Sequence, residues 1–413
     1  MPYFDPEAWR LATPAEIHHD LVEKRERREQ KQQAQDQEQE MRGSGHNALV
    51  LRQTISPFDA YTYLKARFGE PNGLMTRLAT DDSDNLYHWD YAIVAGDHRL
   101  TFVGATQEVH VWTDQTLSDA QWLRFIEVLR QDFGRVAHDK GRVAGNLEKW
   151  HIFPNRFLAI ANHCAEVFYR LSETLPLLEH ALRKDDARPS DPDFKRRAQR
   201  QARLTTKVVV GALELPLLTP ILFECFLGLL VGLFVKPEIK ADPKRFEAFQ
   251  RGRLTDKILT LADHCDGFDR PLRKDNETLR RFWPVVARRN DLIHGNLDPV
   301  RDAVEIVYFD GKRPLYTAGA DRHDAHWNSL VSQYAPARAI DDYLAMHAAI
   351  HEILQHLSPV YRRTLEVVMA DTEPGWDARR RKIGKLFPGY LIQTSYPDLR
   401  YDTDLTVADE AGS

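Results

Sequence analysis

Cysteine is nearly absent. Cys164, Cys225 and Cys265 are the only three in 413 residues, and no two stand in C-x-x-C spacing. This excludes a disulfide framework and a thiolate zinc site, and points to a reducing compartment. An excess of positive charge is also missing. The formal net charge is −5, so any attraction for phosphate must come from local patches. The first residues, Met1-Pro2-Tyr3-Phe4-Asp5, hold neither a basic head nor an apolar run. No secretory signal is expected from them, and the cytoplasm is the expected compartment. At 43% hydrophobic and 28% charged, the composition is that of a soluble globular protein with room for two or three domains.

What is present changes in texture along the chain. Residues 15 to 42 are nearly all Glu, Gln, Lys and Arg, with helix propensity but no apolar stripe, and Gly43-Ser44-Gly45 closes them. Residues 1–46 are therefore read as a charged, helical or disordered lead-in. Residues 47–145 read as a small α/β unit for binding or sensing. Ala48 to Ile55 is expected as a strand, and Ser56-Pro57 starts a helix that Gly69 stops. Tyr87, Trp89, Tyr91 and Ile93 alternate with smaller or polar residues, Gly96-Asp97 supplies a turn, and Leu100–Val103 and Glu108–Trp112 read as further antiparallel strands. Ser118 and Gln121 form a capping box ahead of the next helix. This stretch holds no nucleotide or metal motif.

Residues 150–370 are predominantly helical. Helices are expected over Asn155–Arg183, Phe246–His264, Leu279–Ile293 and Asp341–His356, with a basic stretch over Phe194–Lys207. A short hairpin is expected over Val304–Tyr308 and Pro314–Tyr316, and residues 371–413 read as an irregular polar tail. Together these predict an α+β protein, a small antiparallel sheet followed by a helical bundle. Residues 208 to 235 form a strongly apolar run. Its last 19 residues are borderline in length for a membrane span, but Glu224 and Pro220 inside it favour a buried helix. If buried, Glu224 needs a partner, either as an ordinary satisfied core carboxylate or as an orienter of an active-site side chain.

The chemistry concentrates in Arg289-Asn290-Asp291-Leu292-Ile293-His294, followed by Gly295. Arg holds phosphate with a planar fork of donors, and His moves protons near neutral pH. On a straight helix Asn290 and His294 share a face, while Arg289 and His294 lie about 140° apart. Gly295 in the C′ position would end the helix at His294. Convergence then needs Arg289 to reach around, or a second copy of the motif across a two-fold axis. A basic residue and a His at a helix C-terminus are also favoured by the macrodipole alone, without catalysis.

The motif, Arg followed by a polar residue and closed by His-Gly in a helical domain, resembles the R-x4–6-H signature of HEPN-domain ribonucleases. Arg288 also fits the loose pattern, but Arg289 has Asn290 beside it, as in the family. The resemblance covers residues 150–370. It implies a helical bundle that dimerises with two motifs in one cleft, and metal-independent cleavage of RNA by its 2′-hydroxyl, with no cofactor. It assigns His294 as acid/base, Arg289 as stabiliser of phosphate charge and Asn290 as positioner. It further implies a toxin or antiviral effector, with a neutralising or trigger partner acting through the N-terminal unit. The alternative is a non-catalytic HEPN module that binds RNA, a nucleotide or a protein partner.

Weaker constellations accompany the motif. His347 and His351 are i,i+4 with His356 nearby, but Glu352 follows His351 directly, so this is not H-E-x-x-H and a packed or solvated helix face is expected. His163-Cys164 and His264-Cys265 are isolated local pairs. The basic clusters Lys195–Lys207 and Arg379-Arg380-Arg381-Lys382 suit solvated surface or phosphate steering.

Overall fold

The structure is a computed structural model that describes residues 1–19, 46–78, 87–183, 191–295, 299–300, 303, 306–316, 331, 333–387 and 400–406. The charged stretch expected as a lead-in lies mostly outside the described residues. Contacts divide the chain into two units, Met1–Glu148 with Leu386–Ser413, and Lys149–Lys385. The fold is α+β.

The first unit is built on a six-stranded sheet. Its strands are β1 (Trp9–Leu11), β2 (His46–Leu51), β3 (Trp89–Ala95), β4 (His98–Gly104), β5 (Val109–Leu117) and β11 (Arg400–Tyr401), in the order β1-β3-β4-β5-β2-β11. All neighbours are antiparallel except β11, which runs parallel to β2. Gly96 turns β3 into β4 with φ 62, a conformation side chains resist. Helix α1 (Pro57–Phe68) starts where Ser56 caps the Asp59 amide, and Leu74–Leu78 forms a short α2. Helix α3 (Asp119–Arg135) begins at the expected capping box of Ser118 and Gln121, and α4 (Ala137–Asn146) follows it. The core is aromatic, with Trp122, Phe125, Phe102 and Tyr91 fully buried.

Both ends of the unit correct the sequence reading. Residues 1–11, assigned to the lead-in, bury Tyr3 and Trp9 in this core and pair β1 with β3. Residues 400–406, assigned to an irregular tail, dock beside β2. The expected strand over Ala48–Ile55 stops at Leu51 because a residue from the far end of the chain takes over its backbone amides. The Asp402 carboxylate accepts the backbone N–H groups of Arg52, Gln53 and Thr54 at 3.1, 3.0 and 2.8 Å, which peels the chain off the sheet.

Burial alone would raise the pKa of Asp402, but the bonds from Thr54, Gln53 and Arg52 outweigh it and hold the carboxyl below its usual range. A depressed carboxylate contributes stability above its unfolded pKa of about 3.9 and loses it as pH falls through the folded value. Asp402→Asn is therefore expected to destabilise this unit by roughly 1.5–3 kcal/mol at neutral pH. The difference should shrink in strong acid, below the depressed folded pKa. Hydrogen exchange of the β2 amides across pH checks this, and a deficit independent of pH would refute it.

The second unit is a helical assembly closed by a small sheet. Strand β6 (Trp150–Ile152) leads into α5 (Arg156–Arg183) and then α6 (Phe194–Phe234). The basic stretch and the apolar run, read separately from the sequence, are one helix of 41 residues. The helix expected over Phe246–His264 is broken into α8 (Pro243–Arg251), α9 (Leu254–Leu259) and α10 (Leu261–His264), preceded by a short α7 (Pro237–Ala241). Gly252 and Thr260 interrupt it, Gly having the poorest helix propensity apart from Pro. Helix α11 (Glu277–His294) carries the motif. An exposed hairpin of β7 (Val307–Asp310) and β8 (Arg313–Tyr316) follows, then α12 (Pro336–Gln355) and α13 (Pro359–Met369). Strands β9 (Gly375–Asp377) and β10 (Lys382–Gly384) pair with each other, and β9 with β6, so this part of the expected tail is ordered as well. Gly232 of α6 permits the closure, because a Cβ there would lie 2.3 Å from Ile383.

Among the described residues, α6 is the one helix long and apolar enough to cross a membrane, and 61% of its most apolar window is buried within the unit. Its apolar half packs on α5, α11 and α12 through residues such as Leu215, Phe223, Phe226 and Leu230. Glu224 corrects the expectation of a core carboxylate: it lies on an exposed strip with Gly228 and needs no buried partner.

Candidate functional site

Helix α11 is tied down at both ends. The Asn276 side chain accepts from the Leu279 amide at 3.1 Å and donates to Glu352 of α12 at 2.8 Å. Glu352 also meets Nε2 of His356 at 3.2 Å, and His356 Nδ1 faces the Arg270 carbonyl at 3.1 Å. Leu279, Phe282 and Val285 supply the buried face, with the Phe282 ring 4.3 Å from that of Phe223. Near the other end, Arg288 Nε donates to Asp342 of α12 at 2.9 Å, and its Nη2 donates to the second carboxylate oxygen. Gly295 ends the helix with φ 59 and ψ 32, its amide bonding back to the last turn. This is the expected left-handed cap, with His294 as the last helical residue.

The helix thus sorts its two neighbouring arginines. Arg288 is committed to Asp342 by a two-pronged contact. Arg289 donates instead to its neighbour, Nη1 to Asn290 Oδ1, at 3.0 Å. Its Nε is buried and unpartnered among the described residues. His294 is exposed, as are Leu292 at 44% and Ile293 at 48%. The helix is regular through this stretch, so Arg289 and His294 project about 140° apart. No hydrogen bond joins them among the described residues. Within one chain the structure brings Arg289 to Asn290, and His294 on the last turn has no hydrogen-bond partner among the described residues.

A groove of about 710 Å³ lies elsewhere on this helix pair. Glu277, Arg281, Asp341, Asp342, Leu344 and Ala348 line it between α11 and α12. Three carboxylates on its walls make it a poor seat for phosphate, so its size does not nominate it as the catalytic cleft.

The other sequence candidates resolve into structural roles. His347 packs edge-on against Tyr343, with centroids 4.5 Å apart, and burial lowers its pKa. His351 meets Gln355 at 3.1 Å. No group of three or more His, Cys, Asp or Glu suited to a metal occurs among the described residues. His264 stacks on Phe249 with the rings 4.5 Å apart. Burial pushes the thiols of Cys164 and Cys265 up to about 11 and about 12, which leaves them protonated and unreactive near neutral pH.

One constellation escaped sequence reasoning. His163 and Arg170 of α5 both bond Glu214 of α6, His163 Nε2 to Oε1 at 2.5 Å and Arg170 Nη2 to Oε2 at 3.2 Å. The i,i+7 spacing of His163 and Arg170 marks one helix stripe, but nothing local indicates a carboxylate more than 40 residues away.

Comparison with family models, with curated proteins and with solved structures finds no match to this chain.

Proposed function

We propose that the helical unit is an endoribonuclease of the HEPN type that cleaves RNA without a metal, serving as a toxin or antiviral effector triggered through the N-terminal unit. One observation carries the reading. The last two turns of α11 present a phosphate-type cation, Arg289 with Asn290, and an exposed imidazole, His294, while the competing Arg288 is engaged by Asp342. The buried, unpartnered Nε of Arg289 costs about 1–3 kcal/mol, which rotation of the guanidinium towards a phosphate would recover.

A second copy of the chain completes the site. Two α11 ends meeting about a two-fold axis would close the 140° gap and cover Leu292 and Ile293. One His294 then removes the proton from the ribose 2′-hydroxyl, and O2′ attacks the adjacent phosphorus. The P–O5′ bond breaks, the other His294 protonates the departing O5′, and a 2′,3′-cyclic phosphate and a 5′-hydroxyl result. Arg289 stabilises the charge growing on the non-bridging oxygens, and Asn290 holds Arg289 in place.

The separation of Arg289 from His294 in one chain favours a second reading, a non-catalytic module that binds RNA, a nucleotide or a protein partner. Incubating the purified chain with RNA in excess EDTA separates the two. Cleavage leaving cyclic phosphate ends supports the nuclease. Binding of RNA without cleavage, or cleavage only with added divalent metal, overturns it.

A further inference from the structure

The basic first half of α6 is the feature that the α11 site does not absorb. Arg196, Arg200, Arg203 and Lys207 follow one another at i, i+4, i+7 and i+11, which puts them within about 40° of one line and spans about 16 Å of helix. All four are exposed. Arg196 meets Asp193 at 3.3 Å, whereas Arg200, Arg203 and Lys207 have no carboxylate partner among the described residues. A groove of about 320 Å³ follows this row, lined by the same four side chains with Gln199 and Leu204.

The arrangement is electrostatically unfavourable for the protein alone. Arg196 with Arg200, Arg200 with Arg203 and Arg203 with Lys207 are like-charge pairs at helical contact spacing. They sit towards the positive end of the helix macrodipole, and the first turn holds no acidic residue. Further along the same line comes Glu214, whose charge is already taken by His163 and Arg170. Glu166 and Glu173 of α5 sit roughly 60–80° round that helix from the His163–Arg170 line.

A linear row of cations fits a linear polyanion. Three of the four are arginine, whose fork matches phosphate oxygens in pairs. An anionic membrane would call for a band of apolar side chains along the cations; the row offers the half-buried Leu204, and the exposed Val210 stands beyond its end. We propose that this face of α6 binds the phosphodiester backbone of single-stranded RNA, each cation taking a phosphate. The surface is separate from the motif. Phe223, which packs on Phe282 of α11, lies roughly half a turn round α6 from Arg196.

The test is anisotropy of a short labelled oligouridylate, titrated with the full chain carrying His294→Ala, in EDTA, across about 50–200 mM salt. Four phosphate contacts on a single strand give a log–log salt slope of about −2.8. Arg200→Glu with Arg203→Glu should weaken binding at least about tenfold and flatten the slope by about 1.4. Lys244→Glu with Arg245→Glu, the same charge change on α8, should leave both unchanged, and circular dichroism verifies the fold of each variant. Arg200→Gln with Arg203→Gln should show the same direction with a smaller loss. An oligodeoxynucleotide bound equally well assigns recognition to the backbone alone, and weaker binding adds the 2′-hydroxyl. Equal losses from the α6 and α8 pairs, or capture by phosphatidylserine vesicles but not RNA, would overturn the proposal. Failure to cleave RNA would overturn the α11 reading and leave this one standing.

Discussion

Replacing His294 by alanine is expected to lower RNA cleavage in EDTA by roughly 10²–10⁴-fold, the usual contribution of a positioned acid or base. That corresponds to about 3–5 kcal/mol of transition-state stabilisation. A two-fold site would lose both acid and base in a single substitution, which places the effect towards the upper end. Stability should hardly change. His294 is exposed on the last turn, and all it gives the fold is a favourable position beside the helix dipole, worth under about 1 kcal/mol. A variant that melts like the wild type and does not cut is the expected result. Asn290→Ala should cost less, since Asn290 acts through Arg289, to which it is joined by the 3.0 Å bond. Cleavage that persists in His294→Ala would remove the imidazole from the mechanism. If the wild type does not cut RNA and Arg289→Ala weakens its binding, α11 ends a binding module instead.

The parts of this architecture that were legible in the sequence are those whose signals are local. Ser118 with Gln121 marks a helix start because both halves of the capping box lie within four residues. Gly295 marks a helix end because a left-handed residue is needed there and glycine takes it without strain. The illegible parts depend on partners far along the chain. Strand β11 has two residues, too few for any periodicity, and exists because β2 lies alongside and Asp402 grips the turn after it. Strands β6, β9 and β10 have three residues each, and β6 meets its partner β9 more than 200 residues on. Glu224 was misplaced because its neighbours are apolar, whereas helical phase puts it on the exposed strip of α6. At the site, the local pattern named Arg289, Asn290 and His294. It gave no hint that Asp342, more than 50 residues on, separates the two arginines into different roles.

That separation has a sharp consequence. Asp342→Ala should destabilise the helical unit by roughly 2–3 kcal/mol. Removing one partner of a buried pair costs about 3–5 kcal/mol, and the penalty is reduced here because Arg288 is 38% exposed and recovers some hydration. The last turns of α11 should loosen as well, since the pair ties α11 to α12 close to the motif. Arg288→Met combined with Asp342→Leu should restore stability to within about 1 kcal/mol of wild type, because an apolar pair of similar volume avoids the desolvation of two charges. If Arg289 is the catalytic guanidinium, this double variant keeps its ribonuclease activity, whereas Arg289→Ala folds normally and loses it. Thermal melts and single-turnover cleavage on the three variants decide the matter. A stable, inactive double variant would transfer the role to Arg288 and make the motif R-x5-H. An active double variant with an inactive Arg289→Ala would assign the anion-binding role to Arg289, leaving Arg288 and Asp342 as the pair that fixes the helix end on which His294 stands.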